Sequence, residues 1–178
     1  MKKNIVIDDA GFKRTVNRLA HEVVEKNTGA EDIVVVGIRT RGDYLAQRVA
    51  KKIEEIEGKP IQVGRLDITL YRDDLRGRLD QPLLKSTEIL FDINGKVLVL
   101  VDDVLFTGRT IRSALNALMD LGRPATIQLL VLIDRGHREL PIKADFVGKN
   151  IPTSMKQEIK VLMSEVDEED AVYVSEQE

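Results

Sequence analysis

Residues 97–110, VLVLVDDVLFTGRT, decide how the rest of the chain is read. Five apolar residues run unbroken, two carboxylates follow side by side, and a short loop then ends in Thr-Gly-Arg-Thr. An unbroken, β-branched apolar run is the pattern of a strand covered on both faces in a parallel sheet. Ligands of open parallel sheets bind beyond the carboxyl ends of the strands, which is where Asp102 and Asp103 stand. The loop leads into a helix over about 109–121, closed by Gly122 and Pro124. Unpaired N–H groups and the dipole at its N-terminus attract an anion. Thr107 and Thr110 add hydroxyls, Gly108 allows close backbone approach and Arg109 adds charge. The pattern suits a monoester phosphate and lacks the Gly-x4-Gly-Lys-Ser/Thr of a P-loop. Acids beside an anion site make sense when the ligand also carries neutral hydroxyls, as a ribose 5-phosphate does.

Outward from this stretch, strands and helices alternate. Asp8 or Asp9 caps a first helix whose Phe12, Val16, Leu19, Ala20 and Val23 recur at helical spacing and face the core. DIVVVGI (32–38) reads as a central strand, and GIRTRG turns it into an amphipathic helix ending near Gly58 and Pro60. IQVGRLDITLY (61–71) reads as a strand, RDDLRGRLDQP (72–82) as a polar loop and TIQLLVLID (126–134) as another buried strand. This rhythm predicts right-handed crossovers and a parallel sheet with helices on both faces. DRGHRELPIKADFVGKNIPTS and the residues after it break the rhythm and predict a cap over one edge.

With 178 residues, 43% hydrophobic and 32% charged, the chain suits one globular domain. Absence of cysteine excludes disulfides and thiolate metal sites, and two histidines are too few for most zinc sites. Any metal is expected to be a hard ion held by oxygen. MKKNIVIDD lacks the apolar region of a signal peptide, and no apolar run nears the roughly 20 residues of a membrane helix. A soluble, cytoplasmic protein with no membrane partner is expected. The net charge of -3 hides an asymmetry: residues 165–178 hold seven acids and no Lys or Arg, and the remainder has 27 basic against 23 acidic residues. That tail reads as a solvated end, with Val172 and Val174 able to add an edge strand.

VLVLVDDVLFTGRT resembles, along its full length, the phosphoribosyl pyrophosphate (PRPP) motif of type I phosphoribosyltransferases. The wider chain is similar to one branch, the PyrR family of pyrimidine operon attenuation regulators that are also uracil phosphoribosyltransferases. RLAHE (18–22), GIRTRGDYLA (37–46), DITLYRDDL (67–75), GRPATIQL (122–129) and DRGHRELPIKADFVGKNIPTS (134–154) carry the likeness. The resemblance implies an α/β type I phosphoribosyltransferase fold, a central mostly parallel sheet flanked by helices. It implies one domain over 1–178 with a small hood formed mainly by about 135–178.

It also implies transfer of ribose 5-phosphate from PRPP to uracil, giving uridine monophosphate (UMP) and pyrophosphate, with magnesium accompanying PRPP. Asp102 and Asp103 would bind ribose, stabilise positive charge on its ring and support magnesium through the ligand or water. Whether Asp103 also abstracts a proton stays open. Val104, Leu105, Phe106, Thr107, Gly108, Arg109 and Thr110 would bind the ribose phosphate. Thr40 and Arg41 match the pyrophosphate loop, with Arg41 counted as catalytic, and Arg72, Arg76 and Arg78 would close over the leaving group. Arg135, Lys149 and Ile151 would meet uracil. Read from the residues alone, Arg135 is equally a partner for Asp134 or another acid.

Arg14, Asn17, Arg18 and His21 lie at i, i+3, i+4 and i+7, opposite the apolar stripe of the first helix. His137, Arg138, Lys143 and Lys149 form a second basic group. On an arbitrary protein such a face is simply solvated. The family resemblance implies instead a messenger-RNA stem-loop as partner, uridine nucleotides (UMP, UTP) as co-effectors, and a homodimer or higher homo-oligomer. Without aromatic residues among these bases, phosphate contacts and shape are expected to outweigh stacking. Arg14, Arg18, His21, His137, Arg138 and Lys149 are the candidate RNA residues. A sensor without turnover, or transfer to another base such as hypoxanthine, are the competing readings.

Overall fold

The computed structural model describes residues 3–73 and 87–176. The strands are β1 (Lys3–Ile7), β2 (Ile33–Ile38), β3 (Gln62–Leu66), β4 (Val97–Leu105), β5 (Thr126–Asp134), β6 (Phe146–Asn150), β7 (Gln157–Leu162) and β8 (Ala171–Glu176). The helices are α1 (Asp9–Lys26), α2 (Arg41–Glu57), α3 (Arg109–Leu121) and α4 (Ser164–Asp167).

Five strands form the large sheet in the order β3-β2-β4-β5-β6, and every neighbouring pair is parallel. The order in which strands are added reverses after β3, so β2 and β4 lie side by side with their crossovers running apart. That is the switch point at which parallel sheets open a crevice. The buried runs explain the layering. Val35, Val99 and Val101 pack with α1 and α2, while Val34, Val36, Leu98 and Leu100 pack with α3. Alternate residues thus point to opposite, equally covered faces. In α1, the Asp8 carboxylate accepts the Gly11 N–H at 2.7 Å, and the buried residues are those of the apolar stripe.

The differences from the sequence reading have local causes. β3 stops at Leu66 because Asp67 Oδ1 accepts both the N–H and the hydroxyl of Thr69, turning the chain into a 3₁₀ turn at Thr69–Tyr71. β4 continues through the two acids, since Asp102, Val104 and Leu105 pair with Val131, Ile133 and Asp134 of β5. The acidic tail is not a solvated end. β8 is the middle strand of an antiparallel sheet ordered β1-β8-β7, and Arg48 and Arg41 neutralise Glu165, Asp170 and Asp167. The small sheet therefore draws on the first residues of the chain as well as the last, and β6 joins the large sheet.

Candidate active site

The carboxyl ends of β2, β3, β4 and β5 converge on one edge. Gly42 lets α2 come close to β4, for a Cβ there would stand 2.7 Å from the Val101 carbonyl and 3.3 Å from Asp102 Oδ1. Asp102 is buried, and its Oδ1 accepts the Asp103 N–H at 2.9 Å. Asp103 is half-buried and accepts the Val104 N–H at 2.9 Å. Burial, and then the charge of Asp103, hold the Asp102 carboxyl well above the usual carboxylate range. Such a pair favours a cationic partner.

Beyond the acids, Leu105 is buried in the α3-side core and Val104 packs on the opposite side. The loop from Phe106 to Gly108 is fastened from behind. The Phe106 carbonyl accepts from Arg138 at 2.8 Å, and the Thr107 carbonyl accepts the N–H groups of Glu139 and Leu140. Gly108 has φ +92° and lies against Ile142, a conformation and a space that suit glycine. Thr107, Arg109, Thr110 and Ser113 line a cavity of about 200 Å³ at the start of α3. Arg109 is paired there with Asp73 at 2.9 Å and Glu139 at 2.6 Å.

A second cavity of about 310 Å³ lies between β2 and β4, lined by Thr40, Arg41, Asp102, Asp103 and Val104. Arg72 and Thr110 line both cavities, so the two adjoin. The Arg39–Thr40 peptide bond is cis. Arg41 donates through Nε and Nη2 to Asp167 at 3.1 and 2.8 Å. Arg39, Asp67 and Thr69 also line this cavity and were missed as site residues. The signal was present in the halt of apolar alternation at Asp67 and in the basic residue before Thr40. Arg76 and Arg78 lie outside the described residues.

The base-side residues do not gather as expected. Arg135 is buried, with its guanidinium 4.1 Å from the Phe106 ring centroid. It donates to Thr153 Oγ1 at 3.0 Å and to the carbonyls of Ser154 and Gln157. Burial lowers its proton affinity. Through Nε and Nη2 it braces the 153–157 segment, and it also lines the cavity of His137 and Arg138. Asp134 pairs with Arg138, not Arg135. Ile151 donates its N–H to the Asp134 carbonyl, and its side chain packs on the α1 and α2 side. Lys149 points elsewhere, donating to the Val6 carbonyl at 3.0 Å.

Lys149 instead joins Arg14 and Arg18 in a groove of about 480 Å³ between β1 and α1. Arg18 pairs with Glu22 at 2.7 Å and donates to the Gly148 carbonyl. Asn17 and His21 are exposed on the same helix, and Lys143 is exposed before β6. His137 and Arg138 line a separate cavity of about 470 Å³ with Asn150. His137 Nε2 hydrogen-bonds the Thr153 carbonyl, and Arg138 is committed to Asp134, Phe106 and Ile142. The candidate RNA residues thus form two groups, joined where Lys149 and Asn150 are neighbours on β6.

Among the described residues no three acids or histidines cluster to hold a metal alone. Asp102 and Asp103 fit magnesium that keeps several waters and takes its other oxygens from a diphosphate.

The chain matches the model of the phosphoribosyl transferase domain over residues 5–165. It is 54% identical over 177 residues to the bifunctional protein PyrR of Bacillus pumilus, covering 98% of each chain. It is 57% identical to that of Alkaliphilus metalliredigens over 171 residues, 96% of this chain and 94% of the other. Among solved structures, a hypoxanthine-guanine phosphoribosyltransferase of Bacillus anthracis superposes with a TM-score of 0.72 at 20% identity, covering 99% of each chain. The hypoxanthine phosphoribosyltransferase of Trypanosoma cruzi gives 0.73 at 17% identity over 98% of this chain and 97% of the other. These two likenesses concern the fold.

Proposed function

The chain belongs to the PyrR family of the phosphoribosyltransferases, and on that premise we propose that it transfers ribose 5-phosphate from PRPP to uracil and regulates pyrimidine operons by binding RNA. In the reaction the bond from ribose C1' to pyrophosphate breaks, a bond from C1' to uracil N1 forms, and the N1 proton leaves. The observation that carries the catalytic reading is the carboxylate pair at the switch point, Asp102 buried and Asp103 half-buried, with the Thr107–Thr110 loop on one side and Thr40 and Arg41 on the other.

Asp102 and Asp103 grip the ribose hydroxyls and stabilise the positive charge that grows on the ring as pyrophosphate departs. The backbone and hydroxyls of Val104 to Thr110 take the 5'-phosphate at the start of α3. Thr40 and Arg41 take the pyrophosphate, and Arg72 covers it and excludes water; Arg78, also expected there, lies outside the described residues. Magnesium accompanying PRPP would supply charge neutralisation for the leaving group, and Asp102 and Asp103 are the residues that would hold it. Uracil meets the backbone of the segment that Arg135 braces and Ile151 begins.

Arg14, Arg18, His21 and Lys149 form the first part of the RNA face, His137 and Arg138 the second, and UMP or UTP acts as co-effector. A homodimer or higher homo-oligomer belongs to the same reading. Among the described residues no helix is long and apolar enough to cross a membrane. With PRPP and RNA as partners, a cytoplasmic protein is the fitting reading.

The test is UMP formation from PRPP and uracil with magnesium. The wild-type protein forms UMP, and the Asp102→Asn, Asp103→Asn double variant folds but does not turn over. Wild-type turnover in that variant would refute the assignment of the carboxylates.

A further inference from the structure

We propose that Asp167 is a positioning residue for the transfer reaction, holding Arg41 by one edge so that the rest of its guanidinium meets the pyrophosphate group of PRPP. This rests on the reading of the cavity between β2 and β4 as the PRPP site.

Arg41 is the first residue of α2 and lines that cavity. A free arginine there would sample many rotamers, and binding an anion would cost the entropy of fixing one of them. In the structure it is already fixed. Asp167 accepts from Nε and Nη2 in the two-pronged geometry that sets the plane of a guanidinium. Nη1 has no hydrogen-bond partner among the described residues, and the Arg41 side chain keeps 31% of its surface exposed. Arg41 lines the same cavity as Asp102 and Asp103, and the charge of Asp103 also acts on its guanidinium.

Asp167 is itself held. Its Oδ2 accepts the Met163 N–H at 3.0 Å, and its own N–H donates to the Met163 carbonyl at 2.7 Å. The short helix that carries it is fastened back to α2 by Arg48, which donates to Ser164, Glu165 and Asp170. Arg41 and Arg48 lie seven residues apart, two turns on one face of α2. The short helix between β7 and β8 thus contributes a side chain that orients a group at the large sheet's edge without touching substrate. Neither the strand-end acids nor the 97–110 stretch points to this residue.

The experiment uses Asp167→Asn, which keeps an acceptor for Met163 and so preserves the local fold. The probes are inorganic pyrophosphate with magnesium, PRPP, and UMP as the ligand that lacks a pyrophosphate group. Calorimetric affinity for pyrophosphate is expected to fall about tenfold and the KM for PRPP to rise as much, the worth of one charge-assisted hydrogen bond. UMP affinity is expected to stay within twofold, roughly the error of a neutral change at a remote site. In an Arg41→Ala background the same substitution is expected to add nothing, because Asp167 acts only through Arg41.

Unchanged pyrophosphate affinity in Asp167→Asn would overturn the inference. Tighter binding would overturn it too, since Asp167 would then be withholding Arg41 from the ligand. An equal loss with Arg41 already removed would show a general structural role and overturn it likewise. A wild-type protein that bound no pyrophosphate and formed no UMP would overturn the proposed function itself, and this inference with it.

Discussion

Replacing Arg48 by alanine removes the fastening between α2 and the small sheet, and the structure sets the size of the effect. The guanidinium lies 5.3 Å from the Phe12 ring centroid and donates to both Asp170 oxygens at 2.7 and 2.8 Å. The Asp170 side chain is only 6% exposed, and without Arg48 it keeps the Ser164 N–H as a backbone donor at 2.8 Å. Leaving one partner of a buried pair costs about 3–5 kcal/mol. Arg48 is 21% exposed, and Glu165, at 33%, adds little. A loss of about 2–4 kcal/mol follows, or a fall in Tm of about 5–15 °C for a chain of this size. Burial by itself would raise the Asp170 carboxyl, but the Arg48 and Ser164 hydrogen bonds outweigh it and hold the group below its ordinary range. A depressed native-state value gives stability that is present above about pH 4, the unfolded-state value, and is lost as pH falls through the native one. The gap between wild type and Arg48→Ala should therefore narrow in acid. Thermal melts by circular dichroism from pH 3 to pH 8 measure it, with Arg48→Met, which keeps the stem over Phe12, isolating the charge. A Tm shift under about 1 °C at pH 7 would refute the reasoning, as would an undiminished gap at pH 3.

Two further outcomes are expected. Asp102→Asn should abolish turnover yet raise the Tm of the ligand-free protein. The native carboxyl holds its proton more tightly than the unfolded one, so stability declines as pH rises from about 4 through the native value. Melts at pH 4 and pH 8 check this, and an Asn variant less stable than wild type at pH 8 would contradict it. Arg18→Ala should weaken stem-loop binding and reduce its log–log salt slope by about one unit if the residue makes one phosphate contact. If UMP tightens RNA binding, RNA must tighten UMP binding by the same factor. Filter binding across salt, with and without UMP, tests both statements.

Strands β2, β4 and β5 were legible because a continuous apolar run has few fates other than burial on both faces, and α1 because its stripe repeats at 3.6. What escaped was decided by pairing between distant segments. β1 holds a few apolar residues that become a strand only against β8. The acidic tail looked solvated because Arg41 and Arg48, more than a hundred residues earlier, supply the neutralising charge. The site divides in the same way. Asp102, Asp103, Thr107 and Thr110 lie within one loop and its flanks, so local pattern placed them together. Arg39, Asp67 and Asp167 come from three separate segments. The choice between Arg135 and Arg138 as partner of Asp134 depends on a loop path that no periodicity encodes. Arg138 also reaches the Phe106 carbonyl, which fixes that path.

The most direct test of the central claim is a competition assay. Wild-type protein, PRPP and magnesium are mixed with uracil, cytosine, hypoxanthine and guanine at equal concentrations, and the nucleotides formed are identified by mass spectrometry. The account predicts UMP with an equal amount of pyrophosphate and none of the other nucleotides. Inosine or guanosine monophosphate as the main product, or no nucleotide while PRPP is bound, would contradict it.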